Sequence, residues 1–141
     1  MSGYERPQTR PLPEITQDNA HFWTGGRDGT LKILRCGDCG YYIHPPWPRC
    51  SRCLSSNVAP APVSGRGTVD SFTVNHHPWL PQFPPPYVLA LVSLDEQADV
   101  RIATNLINVE LNDLVIGMPV EVSFEQWQDV YLPLFQPVSN Q

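Results

Sequence analysis

Cys36-Gly37-Asp38-Cys39-Gly40, answered by Cys50-Ser51-Arg52-Cys53, decides how this chain folds. It holds all four cysteines, as two C-x-x-C pairs separated by ten residues. Two residues between cysteines let both sulfurs of a pair point at one centre from a tight knuckle. Gly37 and Gly40 suit such a knuckle, because glycine takes positive φ at no steric cost. Two facing knuckles supply four thiolates in a tetrahedron, the closed geometry of a structural zinc site. Gly40 to Arg49 is long enough to run out and back as a short hairpin, which makes the whole a zinc ribbon. Iron fits the same four-thiolate cage. Disulfides are disfavoured, because the polar, proline-rich start of the chain does not read as a secretory signal. A closed site has no position for water, so the metal is read as one structural ion that staples a segment too small to fold alone.

Composition narrows the rest. The chain has 141 residues, 41% hydrophobic and 16% charged, with a net charge of -5. A general nucleic-acid binder needs a field that attracts phosphates, and the acidic balance opposes one. No apolar run approaches the roughly 20 residues of a membrane span. Cysteines read as metal ligands make the cytoplasm the default compartment. The 16 prolines argue for strand edges and fixed loops and against a helical bundle.

Three segments are expected: an extended arm over 1–15, a helix and ribbon over 16–62, and a β domain over 63–141. Thr16 or Asp18 can cap a helix running to about Arg27. Its Phe22 and Trp23 either anchor it to the chain or face a partner. Leu31 to Arg35 reads as the first ribbon strand and Tyr41-Tyr42-Ile43 as the next. His44 could ligate metal, but four cysteines already fill the site. Residues 54–66 read as a linker by composition.

From Gly67 the texture changes to short β-like runs. Thr68 to Asn75 alternates, with Val69, Ser71, Thr73 and Asn75 on one side. Tyr87 to Leu94 is a strongly apolar run. Val100 to Ile107, Val120 to Phe124 and Val130 to Phe135 follow. Five strands in about 70 residues suggest a small barrel, and the five-stranded OB-fold has this count. Between the first two lies His76-His77-Pro78-Trp79-Leu80-Pro81-Gln82-Phe83-Pro84-Pro85-Pro86. This proline-stiffened loop displays Trp79 and Phe83. They either cover the barrel end or dock on a ligand or partner, and a rigid loop loses less entropy on binding.

These residues together resemble a known family. Phe22-Trp23 before Gly25 and Leu31, Arg35-Cys36-x-x-Cys39-Gly40, Pro45-Pro46, Cys50-x-x-Cys53 and Ser55 match its first half. Gly65-x-Gly67-x-Val69, Pro86-Tyr87-Val88-x-Ala90-x-Val92-x-Leu94-Asp95, Thr104-Asn105-Leu106, Gly117-Met118-Pro119-Val120 and Leu132-Pro133-x-Phe135 match its second. The chain is similar to the acyl-CoA-associated zinc-ribbon/OB-fold family, domain of unknown function 35, from about Asp18 to Pro137. The resemblance implies a mainly β chain: a short N-terminal helix plus a rubredoxin-like zinc ribbon, then a five-stranded OB-fold barrel. It also implies a non-catalytic subunit that completes the acyl-CoA channel of a thiolase-fold partner, such as a thiolase or a sterol-carrier-protein-x-like aldolase. A heterotetramer of two plus two is the expected assembly. Some relatives are fused to MaoC-like hydratases. The His76-His77-Pro78-Trp79 loop looks most like the steroid side-chain branch. Asp95-Glu96-Gln97-Ala98-Asp99 departs from the tighter, glycine-containing turn of many relatives.

A catalytic constellation of the chain's own does not stand out. No G-x-S-x-G, H-E-x-x-H or phosphate-cradling loop occurs. With the cysteines committed to metal, no thiolase-type nucleophile remains. His76 and His77, side by side in a strand, would face opposite sides. For CoA, Arg35, Arg49, Arg52 and Arg66 could pair with phosphates. Trp47 or Trp79 could stack on adenine or line an acyl tunnel. Each arginine taken alone also reads as a solvated surface charge. Phe22, Trp23, His76, His77, Trp79 and Phe83 are the expected partner-facing residues. A single-stranded nucleic-acid module is the competing reading from another class, carried by the aromatic content but opposed by the charge.

Overall fold

Leu31–Cys36 forms a strand, β1, whose two faces feed two cores. Leu31 and Ile33 join the large apolar cluster of the barrel. Leu34 and Cys36 point the other way, into a small cluster with Ile43 and Cys50. Alternation along a strand makes this division possible. The structure is a computed structural model that describes residues 4–138. The outer ends of the expected arm (1–3) and barrel segment (139–141) lie outside the described residues.

Before β1, the helix α1 spans Ala20–Thr24, and a 3-10 turn, Gly25–Asp28, follows it. This is shorter than a helix from Thr16 or Asp18 to Arg27. Thr16 N donates to Asn19 Oδ1 at 2.7 Å and Asn19 N to Thr16 Oγ1 at 3.3 Å, the reciprocal bonds of a capping box. They close a turn that leads into α1, with Ala20 N donating to Thr16 O at 2.9 Å. Gly26 then lets the 3-10 turn press on the barrel, since a Cβ there would fall 2.4 Å from the Phe124 ring.

Tyr42–Ile43 is β2 and Val58–Val63 is β3, and they flank β1 in an antiparallel sheet of order β2-β1-β3. β3 corrects the expectation of a linker over 54–66. Its sequence, VAPAPV, conceals a strand because proline carries no donor for a ladder. Pro60 and Pro62 have the same parity on the edge strand, so both turn their missing N–H outward while the alternate residues pair with β1.

The barrel strands are β4 (Arg66–Asn75), β5 (Tyr87–Leu94), β6 (Gln97–Leu106), β7 (Pro119–Trp127) and β8 (Val130–Pro137). They close in the order β4-β5-β6-β8-β7, with β7 returning to β4 through Gly67↔Val120. β6 and β8 run parallel through the single pair Leu106↔Phe135, and the Thr104 hydroxyl donates to Pro133 O at 2.9 Å beside it. One alternation is corrected. The register of β4 shifts between Val69 and Ser71. This bulge reverses the strand's facing. Val69 is buried and Phe72 and Val74 pack against the core, while Ser71 and Thr73 face out.

The segment Asp95-Glu96-Gln97-Ala98-Asp99 ties the ribbon to the barrel. Gln97 Oε1 accepts from Tyr42 N and its Nε2 donates to Tyr42 O, both at 2.9 Å. The Tyr41 hydroxyl donates to Asp99, and Ser64 N donates to Glu96. Among the described residues, no helix is long and apolar enough to cross a membrane.

Candidate functional site

The two knuckles are built alike. Gly40 N donates to Cys36 O and Leu54 N to Cys50 O, each at 2.9 Å. Gly40 and Leu54 hold the matching positive φ values, 81° and 66°. Gly37 does not need positive φ; its part is close approach, because a Cβ there would fall 2.6 Å from Asn57 Nδ2. Asp38 in the first knuckle accepts from Ser55 and Asn57 after the second, which locks the two together.

This framework sets the four sulfurs within 4.8 Å of one another. Cys36–Cys53 and Cys39–Cys50 stand 3.6 Å apart. Tetrahedral zinc–thiolate bonds of about 2.3 Å require an edge of about 3.8 Å, so the cage fits that ion. The N–H groups of Cys39 and Asp38 aim at Cys36 Sγ from 3.4 Å and help hold its thiol down at about 7. Burial pushes the Cys50 thiol up, but the N–H groups of Cys53 and Arg52 outweigh it, and the thiol is lowered. The other two thiols go the opposite way: burial and the hydrogen bond with Cys50 push Cys39 up, and the hydrogen bond with Cys36 and burial push Cys53 up, so the ion-free cage pairs one low and one high thiol in each knuckle.

The arginines have local partners. Arg35 Nε donates to Gly40 O at 3.0 Å and its guanidinium lies 4.8 Å from the Tyr42 ring centre. Arg49 Nη1 donates to Leu54 O at 2.9 Å. Arg52 stands over Tyr41 at 5.3 Å, in a hollow that Ser51 and Asp99 also line. Arg66 lies away from these on β4, 4.0 Å from Glu121. Trp47 is 65% exposed beside that ribbon surface.

His44 sits behind the ribbon, its ring 4.8 Å from that of Phe22. Burial, with His21 adding to it, pushes its pKa down to about 4. His44 Nδ1 and His21 Nε2 are buried without a hydrogen-bond partner among the described residues. His44 is therefore a neutral packing group.

The expected partner-facing residues divide. Phe22 is buried in the chain's own core, edge-on to Trp23, because the helix is too short to stand without docking. Phe83 is buried as well, packed against Tyr87, Tyr4 and Arg10 where the loop folds back on the barrel. These two do not face outward. Trp23 is half-buried. His76 and His77 are exposed, and Trp79 is 68% exposed. Trp79 is held in place: its Nε1 donates to Asn75 Oδ1 at 2.8 Å and its ring lies 4.2 Å from that of His77.

Sequence reasoning missed the outer side of β5. Leu89 and Leu91 alternate with the buried Val88, Ala90 and Val92, yet face outward. Both line a hollow of about 370 Å³, and Leu89 also lines an adjoining one of about 210 Å³ bounded by Arg10, Trp23 and Leu132. The signal was available: an antiparallel strand with one wet face should alternate, and Tyr87–Leu94 hardly does.

Comparison with known proteins follows this geometry. The family described as ChsH2, rubredoxin-like zinc ribbon domain matches residues 23–59. The family described as ChsH2, C-terminal OB-fold domain matches residues 61–125. A chain of the solved Ltp2-ChsH2(DUF35) aldolase superposes with a TM-score of 0.81 at 38% identity, covering 89% of this chain and 98% of that one. The chain belongs to the DUF35 family. A DUF35 domain-containing scaffold protein of Pyrococcus furiosus is 35% identical over 104 residues, 73% of this chain and 75% of its own length. A probable enoyl-CoA hydratase alpha subunit of Thermomonospora curvata is 39% identical over 133 residues, 94% of this chain and 41% of its own. The 3-oxo-4,17-pregnadiene-20-carboxyl-CoA hydratase alpha subunit of Mycobacterium tuberculosis is 36% identical over 131 residues, 93% of this chain and 41% of its own. This DUF35 chain thus spans about two fifths of the length of the two hydratase subunits.

Proposed function

We propose that this chain is a non-catalytic subunit that docks on a thiolase-fold aldolase and helps enclose its acyl-CoA channel. The partner would carry out retro-aldol cleavage of a steroid-derived or other bulky acyl-CoA, in a heterotetramer of two plus two. The observation that carries the reading is the likeness, at 38% identity over 98% of the matched chain, to a component of an aldolase complex. The steroid element rests on the name of the mycobacterial relative. The chemistry of the described residues supports a scaffold. Its four thiols face one metal centre, with zinc as the proposed structural ion, and are not free to attack a substrate. We place the ribbon over 16–62 and the barrel over 63–141, and the ribbon's outer surface, with Trp47 and Arg52, toward CoA. An indole and a guanidinium suit adenine and phosphate.

The hydratase names favour one second reading, a subunit serving a MaoC-like enoyl-CoA hydratase. The net charge of -5 disfavours the nucleic-acid module. Purified thiolase-fold and hydratase proteins of the same genome should be assayed separately for acyl-CoA cleavage and hydration, with and without this chain. Cleavage that requires the chain supports the first reading. Hydration that requires it would replace the first reading by the second.

A further inference from the structure

We infer that residues 4–10 are a strap that pins the loop 76–86 to the barrel through Phe83, with Glu125 on β7 as its anchor. The inference goes beyond the subunit reading and does not depend on it.

The strap is held by side chains. Pro7, Pro11 and Pro13 carry no N–H for a ladder. Among the described residues, no backbone hydrogen bond joins 5–13 to the barrel strands. Glu125 gathers the side chains instead. Its own side chain is 12% exposed. Its two oxygens accept from the Tyr4 hydroxyl at 2.9 and 2.8 Å, and one of them accepts from Trp127 Nε1 at 2.8 Å. Arg6 and Arg10 stand 3.7 and 3.8 Å from it. Arg6 also donates to Gln126 O at 3.0 Å and lies 4.0 Å from the Trp127 ring centre. Hydrogen bonds and ion pairs to a sheltered carboxylate are the strong kind. One barrel residue thus sets the place of both ends of the strap.

The loop has little else to hold it. Of residues 76–86, all described, only Phe83 is buried. The loop's backbone bonds, Trp79 N to His77 O and Phe83 N to Leu80 O, stay within it. Asn75, at the end of β4, ties His77 and Trp79 to that corner. The Phe83 ring is the attachment of the other half. Tyr87 packs on this ring at 4.5 Å. The strap adds Tyr4, edge-on at 6.5 Å, and the Arg10 guanidinium at 5.1 Å. Arg10 Nε and Nη1 make no hydrogen bond among the described residues, so the charge of Glu125 and the Phe83 ring set its position.

The prolines fix the shape of the loop, and the strap fixes where that shape rests. A segment with few buried contacts opens at low free energy. Loss of the strap should therefore loosen the loop from Leu80 onward and free the exposed His77–Trp79 end to move. Tyr4 also packs against the apolar cluster of Val130, Leu132 and Leu134, so the same loss should bare an apolar face.

Limited digestion of the full chain by chymotrypsin tests this. Prolines follow Leu80 and Phe83 and protect those bonds, so cutting after Trp79 reports the loop. Phe135 is fully buried in β8, so cutting after it reports unfolding of the barrel. The variants are Glu125→Leu, removal of residues 1–10, and Tyr4→Phe. In the first two, cutting after Trp79 should rise roughly tenfold relative to cutting after Phe135, with a smaller rise in Tyr4→Phe. An apolar dye should also bind the first two more strongly than wild type. An unchanged ratio in variants with wild-type circular dichroism would overturn the inference. An equal rise at both bonds would overturn it too, because the strap would then add only global stability. Should Glu125→Leu fail to fold, the truncated chain and Tyr4→Phe decide by the same ratio.

Discussion

The ribbon and the barrel solve the same problem with opposite means. The ribbon has four buried residues in its cluster, Leu34, Cys36, Ile43 and Cys50, and two of them belong to the four-cysteine cage. Its knuckles are polar and locked by Asp38, Ser55 and Asn57. The barrel has fifteen residues in its main cluster, which even recruits Phe22, Leu31, Ile33 and Val63 from outside the barrel strands. It also keeps two leucines on its surface. One unit has little apolar burial and carries four cysteines positioned to hold a metal ion. The other has more apolar surface than its core uses and, on the reading proposed above, is completed by another chain.

The sharpest way to break the comparison is to remove the ion. Cys36→Ser should abolish stoichiometric metal binding and cost on the order of 4 kcal/mol or more, because folding of such a unit is linked to metal binding. Metal analysis and thermal unfolding read both effects. A variant that stays as stable as wild type would show that the ribbon stands on its apolar cluster.

On the barrel, one residue type tests inside against outside. Leu94 is 3% exposed and Leu91 is 37% exposed on the same strand. Leu94→Ala should cost about 3 kcal/mol through the cavity it leaves. Leu91→Ala should cost under about 1 kcal/mol in the isolated chain. Equal losses in urea unfolding would mean that the outer leucine belongs to the core and is not spare surface.

The boundary between the two units carries a pH signature. Unfolded, His44 takes a proton near pH 6.5, whereas burial first, and His21 second, keep the folded imidazole neutral down to about 4. This contribution to stability is intact above pH 6.5 and is lost as pH falls toward 4, by up to about 3 kcal/mol. His44→Gln should flatten that part of the stability–pH curve relative to wild type. Identical slopes would place His44 in contact with water.

A smaller change sharpens the likeness between the knuckles. Leu54 takes the left-handed conformation that Gly40 takes in the first knuckle, and its side chain is 69% exposed. Leu54→Gly should therefore stabilise the ribbon by up to about 1 kcal/mol, the relief of strain exceeding the added chain entropy. Lower stability would mean that the exposed leucine makes a contact worth more than its strain.

Much of this architecture is legible in the chain, and the failures have physical causes. The knuckles read directly, since C-x-x-C spacing and its chemistry are local. The five barrel strands read from alternation or, for β5, from a continuous apolar run. β3 did not, because prolines on an edge strand look like a linker until the parity of Pro60 and Pro62 is set against a partner strand. The facing of Phe72 and Val74 did not, because one bulged residue inverts an alternation. Phe22 and Phe83 read as display residues because a large apolar ring looks alike whether it turns inward or outward. The direction depends on contacts from distant parts of the chain: His44 and Trp23 for one, Tyr4 and Arg10 for the other. Arg10 carried no signal of its own, since unpaired donors appear only once Glu125 is seen to be taken by others.

The most direct measurement is light scattering on a size-exclusion column for this chain mixed with each thiolase-fold protein of the same genome. A single co-eluting species with the mass of two chains of each kind is the expected result. Separate elution with every such protein, at concentrations well above micromolar, would contradict the subunit role.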